Sequence, residues 1–314
     1  MIPYGRQNVS QADIDAVVDI LKSDFLTQGP AVESFEEALT QKTGGKHAIA
    51  FANATAALHI GCLALDLGPA DSLWTSPITF VASANVGRYC GATIDFVDID
   101  PETFNICPDA LEEKLKLAKA SGALPKVLVA VHMCGQSPDM RRIGELAAIY
   151  EFKVIEDASH AIGATYLGSP VGSCTYSDIT VFSFHPVKII TTGEGGAALT
   201  NDPYIAGRMQ RLRSHGITRD PSLMIGETEG PWYYQQLELG YNYRITDIQA
   251  ALGLSQLGRL EGFVERRGMI AGRYNTLLKG LSVDLPGRLP EANSSWHLYV
   301  LRLQNAARHL DVFK

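Results

Sequence analysis

One lysine, Lys188, stands between apolar neighbours in the stretch FSFHPVKIITTGEGG, which runs from Phe182 to Gly196. Lysine is rarely buried without a partner, so this residue either extends its amine to water or holds a desolvated amine. A desolvated amine has a lowered pKa and reacts readily with carbonyl carbons to form Schiff bases. Taken alone, the stretch favours a solvent-reaching lysine on an edge strand, and other residues must decide between the two.

A carboxylate and a histidine follow an apolar run in KVIEDASHA, where Glu156 and Asp157 end the run and His160 comes three residues later. A carboxylate at this point can cap the next helix. It can also hold a proton on a heteroaromatic ring nitrogen, as an aspartate does for the pyridinium of pyridoxal phosphate. The pattern leaves both roles open, and His160 alone is typical of a packed or hydrogen-bonded histidine.

The stretch FANATAAL places Asn53, Ala54 and Thr55 where an apolar strand turns into a helix. The unpaired backbone N–H groups of a helix start, with the Thr55 hydroxyl, can cradle a phosphate. The alternative is a simple N-cap by Asn53 or Thr55. A cradle, a strand-end aspartate and a lysine are the three groups that hold pyridoxal phosphate by its phosphate, ring nitrogen and aldehyde. The chain has no G-x-G-x-x-G after its first strand and no P-loop motif, which excludes those nucleotide-binding folds.

The elements that must position these residues alternate between short apolar runs and helical patterns. The runs HAIAFA, SLWTSP, ATIDFVDID, KVLVAVHM and KVIEDA are each followed or separated by amphipathic or small-residue stretches. This alternation predicts an α/β fold with a largely parallel sheet covered on both faces. Ligands of such sheets bind at the carboxyl ends of the strands, so Ala54, Asp157 and Lys188 are expected to lie near each other.

Signals at element ends support this reading of the chain. Ser10 and Asp13 form a capping pattern, Pro30 stands at a first helical position, and Gly44 ends that helix. The segment 245–281 reads as mostly helical, and HLYVLRL reads as the first strand of a further unit.

Composition limits the function classes. The 314 residues are 46% hydrophobic, enough for a large core, and the net charge of −7 without a basic block disfavours nucleic-acid binding. The 5 cysteines are odd in number and lack a C-x-x-C pair, which predicts neither a disulfide framework nor a metal site. No signal-like segment and no apolar run long enough for a membrane span is present, so the expectation is a cytoplasmic protein without a membrane partner.

Several blocks occur together and in one order over nearly the whole chain: ANATAALH, PITFVASANV, EDASHAIGA, FSFHPVKIITTGEGGA, RSHGI, LGYNYRITDIQAALGLSQL and SSWHLYVL. With these blocks the sequence resembles the DegT/DnrJ/EryC1/StrS sugar aminotransferases, which have fold type I. The resemblance implies a large domain with a mixed, mostly parallel sheet covered by helices. It divides the chain into an N-terminal segment 1–30, a cofactor-binding domain 31–245, and a connecting helix with an incomplete small C-terminal domain 246–314, since the chain ends just after the first strand expected there.

The resemblance also implies roles for single residues. Lys188 would be the catalytic Schiff-base lysine of bound pyridoxal 5′-phosphate, and family dehydratases carry a histidine at this position, which favours transamination. Asp157 would pair with the ring nitrogen, and Phe80 would stack on the ring. The implied cofactor-binding residues are Ala54, Thr55, Phe80, Asp157, His160, Ser183, Lys188 and Asn242. The implied substrate-binding residues are Tyr4, Asp24, Phe25, Leu26, Thr27, Ala54, Ser183 and Asn242.

Asn242 would reach in from a second subunit, which implies a homodimer with shared active sites. Arg244, two residues on, would be either a diphosphate or carboxylate partner or a surface ion pair.

The segments YGRQ and LTQGP, with the pair Ala54-Thr55, are most similar to the pseudaminic-acid branch of the family. That branch implies transfer of an amine from glutamate to C4 of a UDP-linked 4-keto-6-deoxy-N-acetyl hexose. The alternatives are another nucleotide keto-sugar, dTDP-linked and aminated at C3 or C4, and a non-catalytic relative that binds the cofactor for regulation.

Overall fold

A computed structural model of the chain describes residues 5–226, 230–305 and 308–313. The α-helices span Gln11–Lys22 (α1), Pro30–Thr43 (α2), Ala54–Ala64 (α3), Ala82–Tyr89 (α4), Pro108–Ser121 (α5), Met140–Tyr150 (α6), Pro203–Arg213 (α7), Asp247–Leu257 (α8), Leu260–Leu277 (α9) and His309–Phe313 (α10). The strands span His47–Phe51 (β1), Ser72–Thr75 (β2), Thr93–Phe96 (β3), Val127–Val131 (β4), Lys153–Asp157 (β5), Thr165–Tyr166 (β6), Ser169–Pro170 (β7), Ile179–Ser183 (β8), Gly196–Thr200 (β9), Ile217–Thr218 (β10), Gln235–Gln236 (β11), Val283–Asp284 (β12), Ala292–Asn293 (β13) and Arg302–Leu303 (β14).

A seven-stranded sheet carries the fold, in the order β1-β9-β8-β5-β4-β2-β3. The pairs from β8 through β5, β4 and β2 to β3 are parallel. Strand β9 is antiparallel to both of its neighbours, β8 and β1. The predicted α/β fold with a mixed, mostly parallel sheet is confirmed. Because the parallel strands end at one edge, Asp157, Ser183 and the start of α3 meet there.

Helices bury both faces of this sheet, as its apolar strands require. On one face α3 and α7 pack against β1 and β9, while α4 packs against β2 and β3. The alanine-rich α3 is buried over almost its whole length. On the opposite face α2 and α8 form a second core around Phe35, Phe182 and Phe184. A third core lies under α5 and α6, against β4 and β5.

The helix-end patterns predicted from the sequence are present in the structure. Ser10 and Asp13 form a capping box at the start of α1, and Gly44 ends α2 in the left-handed conformation with φ of 77°. Helix α2 begins with Pro30 and receives its cap from far along the chain. The Asp247 carboxylate accepts hydrogen bonds from the Gly29 and Ala31 N–H groups at 2.7 and 3.0 Å. This contact fixes α2 to α8, which supports the same face of the sheet.

The strand predicted over HLYVLRL is wrong for most of its length. Only Arg302–Leu303 pairs, with β12, whereas the preceding residues are irregular. Their backbone N–H groups are used elsewhere: Ser295 donates to the Gly135 carbonyl at 3.0 Å and Leu298 to the Cys134 carbonyl at 3.3 Å. The segment is therefore held against the loop after β4 and cannot form a ladder. The division of the chain at residues 30 and 245 stays a prediction.

Candidate active site

A cavity of about 960 Å³ opens at the carboxyl ends of β1, β4, β5 and β8. Seven of the residues predicted from the sequence line it: Ala54, Thr55, Phe80, Asp157, His160, Ser183 and Lys188. They come from separate strand ends and loops, and the parallel part of the sheet brings them together.

Asp157 is the last residue of β5, and its carboxylate is fixed by two serines. The Ser83 hydroxyl donates to one oxygen at 2.6 Å, and the Ser159 hydroxyl donates to the other at 2.6 Å. No helix follows Asp157 directly, because residues 159–163 form turns. The helix-capping alternative is therefore wrong, and the side chain is held as a buried carboxylate on the cavity wall.

Lys188 lies in the loop that joins β8 to β9, and not on a strand, so the edge-strand alternative is wrong. Its side chain is partly buried on the cavity wall. Burial lowers the pKa of the Lys188 amine below its ordinary value, and the negative charge of Asp157 opposes this change only in part. The amine is thus more often neutral, and more nucleophilic, than that of a surface lysine.

The start of α3 presents free backbone donors to the cavity. The Asn53 side chain caps the helix by accepting from the Ala56 N–H at 2.8 Å, so the capping role falls to Asn53 and not to Thr55. Among the described residues, the N–H groups of Ala54 and Thr55 have no acceptor. Gly196 of β9 packs directly against this turn: a Cβ there would lie 2.5 Å from the Ala54 nitrogen. The cap is therefore formed by Asn53, and the phosphate cradle at the free N–H groups of Ala54 and Thr55 stays a prediction.

Two histidine rings lie side by side in the cavity wall. The His160 and His297 rings lie 4.4 Å apart between centroids, and the Cys134 N–H donates to His160 Nδ1 at 3.3 Å. Burial lowers the pKa of His160 to about 4, so the ring is neutral at pH 7 and carries its proton on Nε2. His297, whose pKa burial also lowers, was not singled out from the sequence. Its motif WHLY gave no chemical signal of its own.

Further lining residues were also missed, and three of them belong to an aromatic cluster beside α3. His59 contacts the rings of Tyr89, Tyr241 and Tyr243, and His59, Tyr89 and Tyr243 line the cavity. His59 lies in the block ANATAALH and Tyr243 in LGYNYRITDIQAALGLSQL, and both blocks carried the family resemblance without giving these side chains a role.

Other predicted residues lie away from this cavity or outside the described residues. Residues 24–27 form an exposed loop that contacts the start of α8, where Thr27 pairs with Thr246. Asn242 is exposed and pairs with Ser214. Arg244 pairs through its backbone with Phe51, and its side chain forms no ion pair with any described residue. Tyr4 lies outside the described residues.

The described residues also bear on partners and metals. None of their helices has the length and apolarity to cross a bilayer. They contain no group of three or more His, Cys, Asp or Glu side chains placed to hold a metal ion.

Comparison with known proteins gives a consistent result. The model of the DegT/DnrJ/EryC1/StrS aminotransferase family matches residues 7–313. The chain is 42% identical to UDP-4-amino-4,6-dideoxy-N-acetyl-beta-L-altrosamine transaminase of Campylobacter jejuni, over 88% of this chain and 69% of that protein. It superposes on Helicobacter pylori PseC, an aminotransferase involved in the biosynthesis of pseudoaminic acid, with a TM-score of 0.86 and 33% identity, covering 98% of this chain and 78% of PseC. For the PLP-form of Streptococcus pneumoniae Spr1654 the TM-score is 0.85 at 31% identity, with 97% and 79% covered.

Proposed function

Since this chain belongs to the DegT/DnrJ/EryC1/StrS aminotransferase family, we propose that it transfers the amino group of glutamate to C4 of a UDP-linked 4-keto-6-deoxy-N-acetyl hexose. It is an aminotransferase of nucleotide-sugar biosynthesis, and its cofactor is pyridoxal 5′-phosphate. The names of the Campylobacter and Helicobacter relatives support the choice of substrate. The observation that carries the proposal is the convergence of Lys188, Asp157 and the start of α3 on one cavity.

The residues of the cavity fit this cofactor. Its phosphate would bind the free N–H groups of Ala54 and Thr55, where Gly196 leaves the space that a side chain would fill. Its ring nitrogen would face the Asp157 carboxylate, which the two serines hold in place. Its aldehyde carbon would bind the Lys188 amine. Phe80, whose side chain is 70% exposed at the cavity wall, offers an aromatic face for the ring, and the Ser183 hydroxyl offers a further phosphate donor.

When bound, the cofactor supplies an electron-poor ring that stabilises negative charge at the Cα atom of the amino acid. The chain contributes the proton transfers. Asp157 keeps a proton on the ring nitrogen, because a fixed carboxylate favours the protonated form of its partner. The Lys188 amine, once released, moves the proton to and from Cα, and its lowered pKa suits this role near neutral pH.

His160 fits a donor role toward the cofactor. Because its Nδ1 accepts from the Cys134 N–H, its Nε2–H is the group left to donate. We assign this donor to the ring hydroxyl of the cofactor. The low pKa of His160 keeps the ring neutral, so it adds no positive charge beside the Lys188 amine.

The predicted homodimer explains why some residues lie apart from the cavity. Asn242 and the loop of residues 24–27 are exposed on this chain and do not line its own large cavity. In the proposed assembly, Asn242 completes the site of the second subunit, and Tyr4 and residues 24–27 contact the nucleotide-sugar. Mixing two inactive variants, Lys188→Ala and Asn242→Ala, under conditions that exchange subunits should restore activity, since one site in a mixed dimer is intact. Failure to complement would contradict the shared site.

The substrate is tested with a panel of UDP- and dTDP-linked 4-keto sugars, with glutamate as donor and mass spectrometry of the aminated product. Amination of the UDP-linked N-acetyl sugar at C4 is the expected result. Preference for a dTDP-linked sugar, or for C3, would move the assignment to that substrate. Bound cofactor with no turnover of any keto-sugar would instead favour a regulatory relative.

The lysine is tested separately by borohydride reduction and peptide mapping. The cofactor mass should attach at Lys188, and Lys188→Ala should lose both this attachment and activity. The exposed Lys46 offers a matched control, since Lys46→Ala should keep both. Attachment at another lysine would refute the proposed chemistry.

A further inference from the structure

A second cavity of about 360 Å³ lies beside the first, between the Lys188 loop and helix α9. Lys188 and His297 line both cavities, so the lysine side chain stands at their junction. A small molecule in the second cavity therefore reaches the same lysine as a molecule in the first, from a different side.

The charge of this second cavity is one-sided. Arg6, Arg266, Arg267 and Lys188 line it, and among the described lining residues there is no aspartate or glutamate. None of the three arginines forms an ion pair with a described residue. The chain as a whole carries a net charge of −7. Unpaired cations gathered in a concave site of an acidic protein indicate an anionic ligand.

Arg267 is the best-fixed of these groups. Its Nη1 donates to the carbonyls of Trp296 at 3.0 Å and His297 at 3.2 Å, and the structure gives its Nε and Nη2 no acceptor among the described residues. Carbonyl oxygens hold the guanidinium plane but do not neutralise its charge. Its remaining N–H groups match the two oxygens of a carboxylate.

We propose that this second cavity binds the carboxylates of the dicarboxylate amino donor, through Arg267 and Arg6, while the donor's amine meets the cofactor at the Lys188 junction. The inference rests on the proposed function and adds to it separate anion-binding sites for the amino donor and the keto-sugar. The cavity is small, which suits a five-carbon dicarboxylate, whereas a nucleotide diphosphate sugar requires the larger cavity. The donor and the keto-sugar would thus approach one lysine in turn, each with its own anion site.

Calorimetric titration of the full chain with glutarate tests this, because glutarate has both carboxylates and no amine to react. Arg6→Gln and Arg267→Lys should each weaken glutarate binding by about tenfold or more, since each removes a charge-assisted contact or its fork geometry. Arg273→Gln on the same helix is the matched control: it removes an exposed arginine outside both cavities and should leave binding unchanged. UDP, titrated in parallel, should bind all four proteins alike.

The possible outcomes separate cleanly. Absence of glutarate binding to the wild-type chain, or equal binding by the wild type and both cavity variants, overturns the inference. Loss of UDP binding in Arg6→Gln or Arg267→Lys overturns it as well, because the cavity would then hold the nucleotide. If Arg267→Lys fails to fold, Arg6→Gln decides alone, since the Arg6 side chain has no hydrogen-bond partner among the described residues. If no keto-sugar of the panel is aminated, the proposed function fails but the glutarate titrations are unaffected. The two proposals can therefore fail independently.

Steady-state kinetics add a second readout. In the two cavity variants the KM for glutamate should rise while the KM for the keto-sugar stays within about twofold, as expected when one substrate loses binding energy and the other does not. An equal rise in both KM values would point to a general distortion of the site and count against the inference.

Discussion

Gly196 is the position where one added carbon atom should disturb the cofactor site most directly. It lies opposite Phe51 where β9 pairs with β1. A Cβ at this position would stand 2.5 Å from the Ala54 nitrogen, 2.6 Å from the Ala54 Cα and 2.6 Å from the Asn53 carbonyl carbon. All three atoms are backbone, so no side chain can rotate away to make room.

The magnitude of the Gly196→Ala effect follows from these distances. Carbon atoms pack at about 3.5–4.0 Å, so the start of α3 and β9 must separate by about 1 Å. Overpacking of this kind typically costs about 1–3 kcal/mol in the free energy of unfolding. A hydrogen bond to a charged group is worth about 1.5–3 kcal/mol, so displacing even one cradle N–H should raise the Kd for the cofactor about tenfold or more.

The assay is equilibrium titration with pyridoxal phosphate, combined with urea unfolding of the cofactor-free protein. Gly262 in α9 is the control, because a Cβ there meets nothing within 4 Å. Gly262→Ala should leave the Kd unchanged and stabilise the helix by about 0.5–1 kcal/mol. If Gly196→Ala binds the cofactor with the affinity of Gly262→Ala, the start of α3 is not the phosphate cradle.

Three further predictions concern buried charges. Lys188→Met should make the cofactor-free protein more stable than wild type at pH 7, because the lowered pKa of Lys188 means that folding penalises its charged form. In urea melts, the difference in unfolding free energy between variant and wild type should shrink as the pH rises through that lowered pKa toward the ordinary lysine value. A difference that stays constant with pH would argue against this reasoning. Glu156→Gln should cost about 1.5–3 kcal/mol of unfolding free energy at pH 7, because the buried Glu156 carboxylate accepts hydrogen bonds from Ser177 and Thr180 and lies 2.8 Å from His132 Nε2. Burial alone would raise the pKa of Glu156, but the adjacent His132 ring and hydrogen bonds from the Ser177 and Thr180 hydroxyls lower it. Wild-type stability should therefore fall as the pH drops through that lowered pKa, a loss that the variant should lack. Asp13→Asn should weaken the packing of α1 on α8 by about 1–3 kcal/mol, because Asp13 accepts a hydrogen bond from Ser255 at 2.6 Å and also pairs with Arg259. The expected observation is faster amide hydrogen exchange confined to α1.

The sequence allowed prediction of the site wherever a strand end was the deciding feature. Asp157 follows an apolar run, and the rule that parallel strands end at one edge predicts that it meets the start of α3. Lys188 was different. Its local sequence favoured a solvent-reaching lysine, because the residues that line its two cavities come from elements distant along the chain, among them α9 and the segment around His297. The family resemblance, and not periodicity, supplied its role.

Other features depended on tertiary contacts that no local pattern encodes. Strand β9 begins at the last of three glycines in a stretch that reads as a turn, and its pairing with β1 is visible only in the folded sheet. The segment before β14 has the alternation of a strand, but the loop after β4 takes its hydrogen bonds. The capping of α2 by Asp247 joins residues too distant in sequence for any capping motif to reveal.

Strand β9 has a consequence for the order in which the protein matures. The start of α3 and the Lys188 loop belong to distant parts of the chain, and they meet because β9 pairs with β1, from His47 opposite Thr200 to Phe51 opposite Gly196. Such long-range pairing forms slowly compared with local helices. During synthesis, when β1 has left the ribosome but β9 has not, the chain cannot form the cofactor site. Capture of pyridoxal phosphate would therefore mark the moment at which the central sheet is complete.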